Sequence, residues 1–168
     1  FPARIIQDKH TLKDWILRYQ GEANVDQALL LAGGVDTPQG DFHNSMQLLE
    51  CGAFDKAGFR RLHVAGHPEG NKDIDPDGGI INVEKALLWK QAFSDRSDAN
   101  MAITTQFAFE AKSIIAWANT SSLTGVSHPI HIGIAGPAKF QTMIKYPGAC
   151  GDVPSLRVLQ RRVIELTR

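Results

Sequence analysis

One alternation recurs along this chain: a short apolar stretch, a loop bearing Gly or Pro, then a segment with apolar residues at helical spacing. The stretches Ala3–Ile6, Gln27–Ala32, Arg61–Ala65, Met101–Phe107 and Pro129–Ile134 are brief, apolar on both faces and bounded by Gly, Pro or Asp. They read as strands of a buried parallel sheet. Between them, Leu12, Trp15, Ile16 and Tyr19 recur at i, i+3, i+4 and i+7 within Thr11–Gln20, and Thr11 with Asp14 resembles a capping box. Ala111, Ile114, Ile115 and Ala118 repeat that spacing. Asn44–Cys51, Val83–Phe93, Ala138–Tyr146 and Ser155–Leu166 are the remaining helical segments. Five βα units in a row predict an α/β fold with a parallel sheet and helices outside it. Two architectures compete, an open doubly wound sheet and part of a (β/α)8 TIM barrel. A complete barrel needs about 250 residues, so 168 residues with five strands would supply a partial one.

Composition narrows the function classes. Eighteen Lys and Arg balance eighteen Asp and Glu, which speaks against nucleic acid or an anionic membrane as partner, since both need a basic surplus. No apolar run approaches the roughly 18 residues of a membrane span. Phe1-Pro2-Ala3-Arg4 has neither an initiator Met nor a signal-peptide pattern, which suggests that sequence precedes Phe1. Cys51 and Cys150 are too few and too distant to form a disulfide framework, so the expected compartment is the cytoplasm. No linker or low-complexity segment divides the chain, and residues 1–168 read as one domain.

In either architecture ligands meet the C-terminal ends of the strands. Those loops contain Ala32-Gly33-Gly34-Val35-Asp36, Ala65-Gly66-His67-Pro68-Glu69-Gly70, Thr104-Thr105-Gln106-Phe107 and Gly133-Ile134-Ala135-Gly136-Pro137. Glycines there let a flat ligand approach the backbone. Asp36, His67 and Gln106 offer a carboxylate, an imidazole and an amide. Taken singly, each loop is equally a set of turn residues.

Taken in order, they resemble the methylenetetrahydrofolate reductase family. Leu29 to Asp36 is similar to a family strand ending in Gly-Asp, and Val64 to Asn71 to its Ala-Gly-Tyr-Pro-Glu-x-His segment. Ala102 to Glu110 resembles its Ile-Thr-Gln-Phe-Phe-Phe-Asp strand. Ile132 to Pro137 resembles its Pro-Gly-Ile strand, and Cys150 to Pro154 its Cys-Gly-Val-x-Pro segment. The likeness covers nearly the whole chain and corresponds to roughly the third through seventh barrel strands. It implies a flavoprotein of one-carbon folate metabolism and methionine biosynthesis. Its FAD would pass hydride from NADH or NADPH to methylenetetrahydrofolate, a small-molecule folate substrate. Whether copies of the chain associate is left open.

Residue by residue, the resemblance puts Asp36 beside the flavin ring, where a carboxylate tunes redox behaviour, with Gly34 just before it. Ala65 and His67 fall on a flavin-lining strand end, with His67 replacing a Tyr; Asn71 stands in place of a His. Lys90 occupies a position near the flavin phosphates, and Gln106 and Thr142 fall at substrate-contacting positions. Independently, Lys90 shares a helical face with Val83, Ala86 and Leu87; its alternative is to snorkel, stem packed and ammonium in water. The family's Arg before Gly-Asp is missing, and its acidic flavin contact maps to Asn82–Val83. The family's catalytic Glu lies on a strand without counterpart here, so no catalytic acid is assigned. Non-catalytic folate or flavin binding is the alternative outcome, and a calcium-binding or structural α/β domain is a third.

The third reading rests on one motif. Asp73 to Glu84 matches the twelve-residue EF-hand loop, with oxygen ligands at positions one, three, five and twelve and Gly78 at six. An EF-hand also needs a helix on each side, and Gly66, Pro68 and Gly70 oppose one before the loop. The reading preferred is an acidic loop that feeds a helix N-terminus. No His or Cys pair has the spacing of a metal site on one helix.

Overall fold

The structure is a computed structural model and describes residues 1–108 and 111–134. A 3-10 turn at Ala3–Ile5 is followed by α1 (Lys9–Ala23), β1 (Gln27–Leu30), α2 (Ser45–Glu50) and α3 (Ala53–Lys56). Then come β2 (Arg61–Gly66), α4 (Ile81–Asp95), β3 (Met101–Ala108), α5 (Ala111–Leu123) and β4 (Ile130–Ile134). The four strands form one parallel sheet in the order β1-β2-β3-β4. In the β1–β2 ladder, Gln27 faces Arg61 and Leu30 faces Val64. Two compact units divide the chain, Phe1–Ala65 with Ala92–Thr104, and Gly66–Gln91 with Thr105–Arg168. No helix among the described residues is long and apolar enough to cross a membrane.

In the first unit the expected strand at Ala3–Ile6 is replaced by the 3-10 turn. The chain does start alongside β1. Phe1 N donates to Leu29 O at 2.7 Å, Leu31 N to Phe1 O at 3.0 Å, and Ala3 N to Leu31 O at 2.8 Å. A single parallel bridge, Pro2 to Leu31, results. Pro2 has no N–H to extend a ladder, and Ile6 N turns back onto Ala3 O at 3.0 Å. Ala3 and Ile6 are still fully buried, so the apolar pattern is satisfied without a strand. Ile6, Leu12, Leu30, Leu48, Phe54 and Val64 form the centre of this unit's core, each contributing about 1.5–3 kcal/mol from burial. Phe1, Phe54 and Phe59 stack edge to face on one another at 5.1–6.4 Å, and Tyr19 adds a fourth ring against Phe1.

Two helix starts differ in detail from expectation. Asp8, and not Thr11, caps α1, its carboxylate accepting from Thr11 N at 2.7 Å. The capping box lies at α2, where Asn44 Oδ1 accepts from Gln47 N at 3.1 Å while Gln47 Oε1 accepts from Asn44 N at 3.3 Å. The short helix α3 was not anticipated; it follows Gly52, which takes φ +65°. Strand burial also departs from the two-sided pattern. Ala28, Leu30, Leu62 and Val64 are buried, whereas Gln27, Leu29, Arg61, His63 and Ala65 are half-buried. The sheet therefore has one apolar face and one mixed face in this unit.

In the second unit α4 buries Val83, Leu87, Lys90 and Gln91, and α5 buries Ile114, Trp117 and Ser121. Gln91 Oε1 accepts from Ser127 N at 2.9 Å, which ties the turn after α5 to α4. At β4, Gly133 N donates to Thr105 Oγ1 at 2.9 Å. A Cβ at Gly133 would stand 2.7 Å from Thr105 O, so only glycine permits this strand approach. The expected helices Ala138–Tyr146 and Ser155–Leu166, and the segment Cys150–Pro154, lie outside the described residues.

Candidate functional site

The loop after β1 is shaped by its contacts with the amino-terminal segment. Arg4 Nη1 donates to Val35 O at 3.0 Å and its Nε to His43 O at 3.2 Å. Gly33 adopts φ +100°, with Pro2 packed 3.1 Å from where its Cβ would be. Gln39 N donates to Arg4 O at 2.7 Å and Asp41 N to Gln7 O at 2.8 Å. A side chain at Gly40 would overlap the Gln7 backbone. The loop is thus clamped on both sides of Asp36, which stays exposed, as does Gly34. Ala65, near the end of β2, lies half-buried on the sheet's mixed face. These three expected site residues belong to the first unit.

The other described ones belong to the second. The loop after β2 folds on itself around Asn71. Asn71 Oδ1 accepts from Asp73 N at 2.9 Å, and its carbonyl accepts from Ile74 N and Asp75 N at 3.2 and 2.8 Å. Gly70 N closes a turn onto His67 O at 3.1 Å. Gly70 takes φ +79°, with Gly79 O 2.8 Å from its would-be Cβ; this crossing of the two loop ends requires glycine. Asn71 therefore uses its side-chain oxygen to hold the loop, and its amide nitrogen is the part left for the ligand contact expected of it. His67 is half-buried, as is Gln106 on β3. Thr142 lies outside the described residues.

The acidic stretch has a structural role that sequence reasoning captured only in outline. Asp75 is 7% exposed, and its two carboxylate oxygens accept from Asn82 N and Val83 N at 3.0 and 3.1 Å. It caps α4 from outside the helix and offsets the helix dipole. The residues before the loop form β2 and turns, with no helix between Gly66 and Ile81. Among the described residues no group of three His, Cys, Asp or Glu side chains converges as a metal site.

Lys90 does not snorkel. It is 6% exposed, and burial pushes its amine down from 10.5 to about 8. The desolvated ammonium is close to losing its proton at neutral to mildly alkaline pH. Two hollows of about 300 and 260 Å³ flank α1, at Trp15 and Tyr19, and neither is lined by an expected site residue.

One polar row was missed. His63, inside the apolar stretch Arg61–Ala65, bridges three strands. Its Nε2 lies 3.1 Å from Gln27 Oε1 on β1, and its Nδ1 lies 3.3 Å from Thr104 Oγ1 on β3. The signal was the presence of polar residues in otherwise apolar strands, legible as a row only once the register is known.

No protein-family model matches this chain.

Proposed function

We propose that the chain is a methylenetetrahydrofolate reductase-like flavoprotein built on part of a (β/α)8 barrel. One observation carries the reading: among the described residues, three of the sequence segments that resemble the family fall at the C-terminal ends of three consecutive parallel strands. Asp36 follows β1, Ala65 and His67 bracket the end of β2, and Gln106 lies near the end of β3. A sheet ordered β1-β2-β3-β4 has no reversal, whereas doubly wound sheets reverse at a switch point. Consecutive order suits a singly wound barrel.

The donor set suits an anionic cofactor such as FAD. An amine poised near pH 8, as Lys90 is, regains full charge beside a phosphate, because the anion offsets the cost of desolvation. Bound FAD would supply hydride transfer between NADH or NADPH and the folate. In this reading Asp36 holds negative charge beside the flavin ring, and Asn71 and His67 contribute polar contacts from the β2 loop. Gly34 admits close backbone approach, while Gln106 and Thr142 face the substrate. Ring opening of the folate also needs a positioned proton donor, a role no acid in this sequence is assigned.

Flavin fluorescence titration tests the reading. Saturable FAD binding is expected to take up a proton between about pH 8 and 9, seen as a dependence of the binding heat on buffer ionisation, and Lys90→Met abolishes that uptake. Absence of saturable binding by this chain, alone or extended through its flanking coding sequence, would overturn the proposal.

A further inference from the structure

The polar row on the mixed face of the sheet ends in an arginine whose surroundings differ from its neighbour's. Arg60 donates from Nε to Asp26 Oδ2 at 2.8 Å. Arg61, one residue on, has its Nε buried with no hydrogen-bond partner. A buried donor left without an acceptor costs about 1–3 kcal/mol, and most such donors in folded proteins are satisfied. Among the described residues no carboxylate pairs with Arg61. Among the described residues, therefore, nothing accepts from this buried Arg61 N–H and no carboxylate balances its charge.

The adjoining side chains add donors of the same kind. Gln27 is the residue directly opposite Arg61 in the β1–β2 ladder. Its Oε1 lies 3.1 Å from His63 Nε2, and His63 Nδ1 lies 3.3 Å from Thr104 Oγ1. With a neutral imidazole these contacts run in one direction. The Thr104 hydroxyl donates to Nδ1, Nε2–H donates to Gln27 Oε1, and the Gln27 amide nitrogen is left as a donor beside Arg61. The relay commits the acceptor end of Gln27 and leaves its donor end available.

We propose that Arg61 and Gln27, oriented through His63 and Thr104, form a binding site for a small oxyanion, the phosphate or carboxylate group of a small molecule. A planar guanidinium with a flanking amide suits such a group, which can accept from both at once. The site lies at the N-terminal ends of β1 and β2. At about 3.3 Å per residue, Arg61 is about 13 Å from Ala65 along β2, so the site stands apart from the flavin reading and does not depend on it.

Isothermal titration of the full chain with inorganic phosphate, and separately with acetate, both at constant ionic strength set by chloride, tests the proposal. Saturable binding of at least one anion is expected, weakened about tenfold or more by Arg61→Gln and unchanged by Arg60→Gln. Tighter acetate than phosphate assigns the site to carboxylates, and the reverse to phosphates. The Arg61 Nε–H resonance of the unsubstituted protein, followed by ¹H–¹⁵N NMR during the same titrations, gives a reading that survives a failure of Arg61→Gln to fold. No saturable shift of that resonance with either anion would overturn the proposal, as would an Arg61→Gln variant that binds both as the parent does.

Discussion

Lys90 carries a charge whose cost is specific enough to measure. Desolvation lowers its amine from 10.5 to about 8, equivalent to about 3 kcal/mol of penalty against the charged form in the fold. The unfolded chain keeps this proton up to 10.5 while the folded chain releases it near 8. Between those values the unfolded state binds more protons, so stability rises with pH across that window. Below about pH 8 the penalty is present in full. Lys90→Met keeps the stem and removes the titrating amine, so its stability relative to the parent is expected to fall by about 1–3 kcal/mol from pH 7 to pH 10. The variant is thereby expected to lose the extra rise above pH 8 that the parent shows. Urea unfolding of both proteins from pH 7 to 10 checks this, and the difference between them cancels the titration of other lysines. The sequence marked Lys90 because it interrupts an apolar stripe, yet spacing alone allowed two fates for it. Which one applies depends on how deeply α4 is buried, and only packing decides that.

The loop between β2 and α4 shows how an element boundary can be set by a residue several positions away. The Asp75 carboxylate accepts two backbone N–H bonds at the start of α4. Asp75→Ala is expected to cost about 1–2 kcal/mol in chemical unfolding, the range for a lost helix cap. If capping is the whole role of the acidic letters, millimolar calcium leaves the melting temperature of the parent unchanged. A calcium-dependent rise that vanishes in Glu84→Ala would restore the EF-hand reading. Gly70→Ala, at φ +79° and 2.8 Å from a carbonyl, is expected to destabilise by more than 1 kcal/mol, roughly the scale of placing a side chain in that backbone region. Four strands, Gln27–Leu30, Arg61–Gly66, Met101–Ala108 and Ile130–Ile134, were legible within a residue or two, since each is a short apolar run between turn residues. Ala3–Ile6 has the same signature and is a 3-10 turn. Burial alone decides its pattern, and a buried turn and a buried strand look alike in four residues. Arg61 and His63 were illegible as a site because their neighbours, Gln27 and Thr104, are distant in sequence and become adjacent only through the strand register.

In the proposed function, cofactor binding and reaction separate cleanly. Flavin binding asks for backbone approach, charge and shape at the strand ends, which Gly34, Asp36, His67 and Lys90 are proposed to supply. Reduction of methylenetetrahydrofolate asks in addition for an acid within hydrogen-bond reach of the ring nitrogen, and hydride transfer to the flavin does not. Residues 1–168 are therefore expected to bind FAD weakly and to show no folate reduction when supplied with NADH or NADPH. Gln106 separates the two functions within the chain. It is half-buried near the C-terminal end of β3, and the family resemblance turns it to the substrate side. Gln106→Ala is expected to leave the FAD dissociation constant within about twofold, a change of less than 0.5 kcal/mol. The same variant is expected to abolish the change in flavin fluorescence produced when methyltetrahydrofolate is added to the FAD-loaded chain. Parallel titrations of both ligands on parent and variant check this. An equal loss of FAD and folate responses would mean that Gln106 supports the fold of the strand end. Measurable folate reduction by residues 1–168 would mean that a visible acid, on a loop at the strand ends, delivers the proton. In that event Asp36, exposed and held between the clamped ends of its loop, is the first side chain to replace, by Asn.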